Sequence, residues 1–108
     1  MNIFVLKVLW SLPMLSYDEC QKRDEYYKIK QSTIQTINDY VELGYEPGGF
    51  VTAVLANDLK EAFGRADIQN RETMFQIVSY VYNEIPNMCQ GSYEIVKNWL
   101  AKKWAVST

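Results

Sequence analysis

Apolar side chains along this chain recur mostly at intervals of three and four, the spacing of one face of an α-helix. Only the first fifteen residues depart from that rhythm. Residues 1–15 form an almost unbroken apolar run with Lys7 inside it. No basic region precedes the run and no small-x-small site follows, so it does not read as a signal peptide. It is also too short to span a bilayer. Residues 3–10 are expected to form a buried strand or a short helix, with a partner-facing or membrane-touching segment as the alternative.

Four helical stretches follow. Ser16-Tyr17-Asp18-Glu19 has the S-x-x-E form of a capping box. Ile34, Ile37, Tyr40 and Val41 continue a helical face, and Tyr27, Ile34 and Val41 sit seven apart. One long helix is expected over residues 17–43, ended by Gly44 and Pro47. After the turn Pro47-Gly48-Gly49, the positions Phe50, Val51, Val54, Leu55, Leu59, Ala62 and Phe63 make a wide apolar face. They predict a central helix over residues 50–63, closed by Gly64. Asp67 is placed to cap a third helix over residues 68–84, with the stripe Met74, Ile77, Val78, Val81 and Ile85. Pro86 stops it. Ser92 caps the last helix, in which Ile95, Val96, Trp99 and Leu100 face inward and Trp104 covers the end of the core.

The prediction is therefore an all-α protein: a compact bundle of about four helices behind a short apolar N-terminal segment. Its 108 residues suit a single domain over residues 1–108. Eight tyrosines, four phenylalanines and three tryptophans supply enough apolar surface to disfavour disorder.

Composition narrows the chemistry. The chain has no histidine, which removes the commonest general acid–base group, the commonest metal ligand and every Ser-His or Cys-His dyad. Cys20 and Cys89 lack metal spacing and are too few for a disulfide framework, so they read as reduced thiols of a cytoplasmic protein. The net charge of −2 and a pI of about 5.1 argue against a general nucleic-acid binder and against adsorption to anionic membranes. No metal site and no cofactor are expected.

Three constellations remain. Asn57 and Asp58 interrupt an apolar helix and lie near Arg65, Asp67, Asn70 and Arg71. They read first as a capping and ion-pair network in which Asp58 reaches Arg65 or Arg71. The alternatives are a polar site that orients a ligand or, less favoured, a catalytic carboxylate pair. The glycine-bearing helix starts, Gly48-Gly49 and Gly91-Ser92, leave backbone N–H groups that attract anions, with Lys60, Arg65 and Arg71 nearby. Ordinary turns and caps are the first reading of both, since neither phosphate-loop pattern is present. The aromatic residues Tyr80, Tyr82, Tyr93, Trp99 and Trp104 read as core and rim. Tyr26 and Tyr27 sit in a charged stretch and, with Trp104, are expected to face a second copy.

The stretch 44–100 also carries Gly48-Gly49-Phe50, Ala53-Val54-Leu55, Asn57-Asp58-Leu59, Arg65-Ala66-Asp67 and Asn70-Arg71. It continues with Tyr82-Asn83-Glu84, Pro86, Cys89, Gly91-Ser92 and Trp99. This combination, spanning about half the chain, resembles a family of small bacteriophage and prophage proteins. The resemblance implies a phage-encoded accessory protein in a bacterial cytoplasm and brings no catalytic assignment. The expected function is binding without catalysis, as a counter-defence or host-modulating protein. Two mechanisms fit: inhibition of a host protein, or sequestration of a small nucleotide signal by a homo-oligomer. A DNA-binding regulator, a virion or assembly protein, and an enzyme using Asp58, Glu61 and Asp67 with an external metal are the other classes.

Overall fold

The computed structural model describes residues 14–107, with side chains through Lys103. The apolar segment at residues 3–10 and the Trp104 side chain lie outside the described residues. All regular secondary structure among the described residues is helical. The helices are α1 (Tyr17–Gln21), α2 (Gln31–Leu43), α3 (Gly48–Leu55), α4 (Leu59–Arg65), α5 (Ile68–Glu72), α6 (Met74–Glu84) and α7 (Tyr93–Ser107), with a 3-10 turn at Asn87–Cys89 before α7. The radius of gyration, 13.6 Å, is near the ~13 Å of a compact chain of this size. No helix among the described residues is long and apolar enough to cross a membrane.

The four expected helices become seven because three of them are interrupted, each for a local reason. The capping box opens α1 as expected: Ser16 Oγ accepts from Glu19 N at 3.1 Å, and Glu19 Oε1 accepts from Ser16 N at 2.9 Å. The long helix over residues 17–43 does not form. Helix α1 ends at Gln21 and residues 22–30 wind through turns. Cys20, Tyr26 and Ile29 all belong to the core. On one straight helix Cys20 and Ile29 would point about 180° apart, so the chain must leave the helix to bury both.

Tyr26 accordingly corrects its expected place at an interface with a second copy. It is wholly buried within its own chain. Its hydroxyl donates to Glu84 Oε2 at 3.0 Å and accepts from Asn83 Nδ2 at 3.2 Å. Its ring meets Tyr80 edge-on, with centroids 5.4 Å apart. Tyr27 stays exposed.

The second break divides residues 50–63. Asn57 adopts φ 64°, the left-handed region that asparagine tolerates better than other side chains. Asn57 N donates to Val54 O at 3.1 Å and Asp58 N to Ala53 O at 2.9 Å, the paired bonds of a Schellman helix end. Asp58 then caps α4, accepting from Glu61 N at 3.3 Å. Gly64, expected to end a helix, lies inside α4.

The third break is a single residue. Thr73 turns its hydroxyl back onto Gln69 O at 2.9 Å, separating α5 from α6. Asp67 caps α5 as expected, accepting from Asn70 N at 2.7 Å. The buried Asn70 side chain accepts from Thr33 Oγ1 at 2.7 Å, tying α5 to α2.

The core joins α2, α3, α6 and α7, and its polar groups are matched. Tyr80 hydroxyl accepts from Leu15 N at 3.1 Å and donates to Asn38 Oδ1 at 2.7 Å, while Asn38 Nδ2 donates to Leu15 O at 2.9 Å. Tyr40 hydroxyl donates to Cys89 O at 2.8 Å, and Trp99 Nε1 donates to Tyr40 O at 3.2 Å. No buried side-chain nitrogen or oxygen among the described residues lacks a partner.

Cys20 and Cys89 are free, buried thiols. Burial is the main force that pushes Cys20 up to about 11 and Cys89 up to about 12. Both thiols are held neutral in the folded state, whereas in the unfolded chain they ionise near pH 9. Their contribution to stability is therefore complete below pH 9 and falls as pH rises from 9 through about 11 for Cys20 and about 12 for Cys89. Denaturation midpoints measured between pH 7.5 and 10.5 are expected to hold below pH 9 and to decline above it. A thiol reagent at pH 8 is expected to label the protein only at the rate of unfolding.

Candidate ligand groove

Helix α3 begins abruptly. Pro47 precedes it and lends no side-chain acceptor to its first turn. Gly48 has φ 81°, open to glycine and strained for other residues. The N–H groups of an α-helix's first turn carry partial positive charge and have no partner within the helix.

Arg65, at the end of α4, lies across this start. A Cβ placed on Gly49 would come within 2.8 Å of Arg65 Nη1 and 3.0 Å of its Cδ. The absence of a side chain at Gly49 is what lets the guanidinium rest there. Arg65 also pairs with Glu61 one turn back on α4. That hydrogen bond is the chief reason its pKa is raised further.

Tyr93, the first residue of α7, closes the other side. Its hydroxyl donates to Asp58 Oδ2 at 2.5 Å, and this bond to an anion is the first cause of its raised pKa. Between these groups lies an open depression of about 300 Å³ whose floor and rim include Gly48, Gly49, Thr52, Arg65 and Tyr93. Glu46, Thr52 and Tyr93 also line a second depression of about 510 Å³, which continues along α7 past Val96, Lys97 and Leu100. The two form one groove. One end has backbone amides, a guanidinium and two carboxylates, Glu46 and Glu61. The other end has an aromatic ring, aliphatic side chains and the amine of Lys97.

The fold brings together only some of the residues singled out from the sequence. Gly48, Gly49 and Arg65 converge, and Asp58 joins them through Tyr93. Asp58 does not pair with Arg65 or Arg71 as anticipated, because it caps α4 and accepts from Tyr93. Asn57 is spent on the Schellman turn. Lys60 is exposed on α4 and does not line the groove. Arg71 lies on α5 and reaches back to Ala66 O at 3.4 Å. Gly91 N is taken by Leu55 O at 2.7 Å, and Ser92 Oγ caps α7 by accepting from Ile95 N at 3.1 Å. The start of α7 is therefore a structural joint.

Glu46, Thr52, Lys97 and Leu100 were not legible as groove residues. They sit on three segments that only the tertiary fold aligns. Tyr93 was visible only as one aromatic among several. Among the described residues, no three carboxylate or thiol side chains converge as a metal site would require. No family model, curated protein or solved structure matches this chain.

Proposed function

We propose that this protein acts by binding, and that the groove between α3, α4 and α7 takes a small nucleotide-class ligand. The observation that carries the reading is Arg65 lying over Gly49 at the uncapped start of α3, facing Tyr93. Backbone amides and a guanidinium are the groups that hold a phosphate oxygen. Glu46 and Glu61 accept hydrogen bonds from sugar hydroxyls or exocyclic amines. Tyr93, Val96 and Leu100 offer a base an aromatic and aliphatic surface. These groups hold and orient a ligand, and capture without conversion is the role we assign to them.

The resemblance to phage proteins supplies the setting for this proposal. A phage accessory protein in a bacterial cytoplasm that removes a nucleotide signal would blunt a host response. Inhibition of a host protein is the second reading, and the observation favouring it is a run of exposed apolar side chains on α5 and α6.

Calorimetric titration with a panel of linear and cyclic mono- and dinucleotides tests the first reading. Arg65→Ala is expected to weaken binding about 10- to 100-fold, the loss of one charge-assisted contact. Gly49→Ala is expected to act in the same direction by displacing the guanidinium, with the helical content unchanged. Equal affinity of both variants and the parent for every ligand bound would refute the assignment of the groove.

A further inference from the structure

Two opposite charges face the apolar end of the groove. Glu46 stands in the turn between α2 and α3 and lines both depressions, so it lies where the phosphate end meets the apolar end. Lys97 follows Tyr93 by one turn of α7, which places the two on one helix face. Glu46 and Lys97 line the same depression, yet among the described residues neither enters an ion pair. The Tyr93 hydroxyl is held by Asp58, which fixes its ring as part of the surface beside them.

We infer that Glu46 and Lys97 select the base, and that the ligand is a guanine nucleotide; the inference rests on the groove being a nucleotide site. Guanine offers two adjacent donors, N1–H and the N2 amine, which one carboxylate accepts together. It also offers two adjacent acceptors, O6 and N7, the pair that lysine and arginine read most often in nucleic acids. Adenine sets the N1 lone pair beside its amine, so a carboxylate there meets one donor and one repelling acceptor. Its amine also faces the cation where guanine has O6. Cytosine has the same donor–acceptor mismatch towards a carboxylate, and uracil flanks its single N–H with two carbonyls. A carboxylate and an amine at one base therefore match guanine on two edges and mismatch each other base on at least one. Both charged heads are exposed, which puts the expected preference near 10-fold, at the low end for such contacts.

Calorimetric titration of the full chain with the monophosphates of guanosine, adenosine, cytidine and uridine tests this, alongside inosine monophosphate, which lacks the N2 amine. Guanosine monophosphate is expected to bind about 10-fold more tightly than the other three. Inosine monophosphate is expected to lose about that factor on the parent and little of it on Glu46→Gln, whose amide cannot accept both donors. Lys97→Met is expected to weaken guanosine monophosphate about 10-fold and to leave adenosine monophosphate unchanged. Both positions are exposed, so circular dichroism should show unchanged helicity in each variant. Failure of the parent to bind any nucleotide overturns the groove reading and this inference together. Equal binding of the four bases leaves the groove reading standing and overturns this inference alone. A guanine preference that survives both substitutions does the same, because the base is then read elsewhere.

Discussion

Replacing Tyr80 by alanine is expected to lower the stability of the fold by about 3–5 kcal/mol. The ring is wholly buried and meets Tyr26 edge-on, so its removal leaves a cavity between α6 and the turns that follow α1. The hydroxyl adds a separate effect. It satisfies Leu15 N and Asn38 Oδ1, and both lose their partner when it goes. Tyr80→Phe isolates that second part. It keeps the ring and is expected to cost about 1 kcal/mol, because the polar groups left unpaired are only partly buried. Urea denaturation of the three proteins measures both numbers. A phenylalanine variant as stable as the parent would show that water replaces the hydroxyl without loss.

Gly44 is the second position where a small change should have a large effect. It ends α2 at φ 74°, and a Cβ there would lie 2.5 Å from Lys103 Cβ on α7. The left-handed backbone costs a non-glycine residue about 1–2 kcal/mol. Overpacking against α7 adds about 1–3 kcal/mol. Gly44→Ala is therefore expected to lose about 2–5 kcal/mol in all. Gly44→Asn separates the two contributions, because asparagine tolerates the left-handed conformation yet still carries a Cβ. If the close approach of α7 dominates, asparagine recovers little of the loss. If backbone strain dominates, it recovers most of it. Chemical denaturation of both variants distinguishes these cases.

The helical class was legible in the three-and-four spacing, and so were most helix ends. Ser16, Asp67 and Ser92 cap helices as their positions predict, and Gly44 and Pro86 mark ends. The internal breaks were not read as breaks, although the clues were present. Asn57 and Asp58 stand out as poor helix formers and read first as a capping and ion-pair network, but a helix end at Asn57 followed by a helix start at Asp58 depends on backbone conformation that the residue pattern does not carry. Thr73 breaks a helix with a local hydroxyl contact that the apolar stripe conceals. Tyr26 looked like a surface residue because its neighbours in sequence are charged. Its true neighbours, Tyr80, Asn83 and Glu84, arrive from more than fifty residues away.

The groove follows the same logic. Gly49 and Arg65 were visible as types that hold anions, and their convergence follows from the turn at Asn57, which folds α4 back on α3. Lys60 and Arg71 have the right charge and the wrong direction. The exposed apolar side chains of α6 are hard to read from the pattern because Val78 falls within the core stripe and Phe75 and Tyr82 lie one position from it.

We propose above that a small nucleotide-class molecule is captured in the groove between α3, α4 and α7. Native mass spectrometry of the purified chain, after incubation with a nucleotide extract of bacterial cells, tests it most directly. The expected result is an adduct in the nucleotide mass range that is retained by the parent and lost in Arg65→Ala. Spectra with no adduct on the parent, or with the same adduct on both proteins, would contradict it.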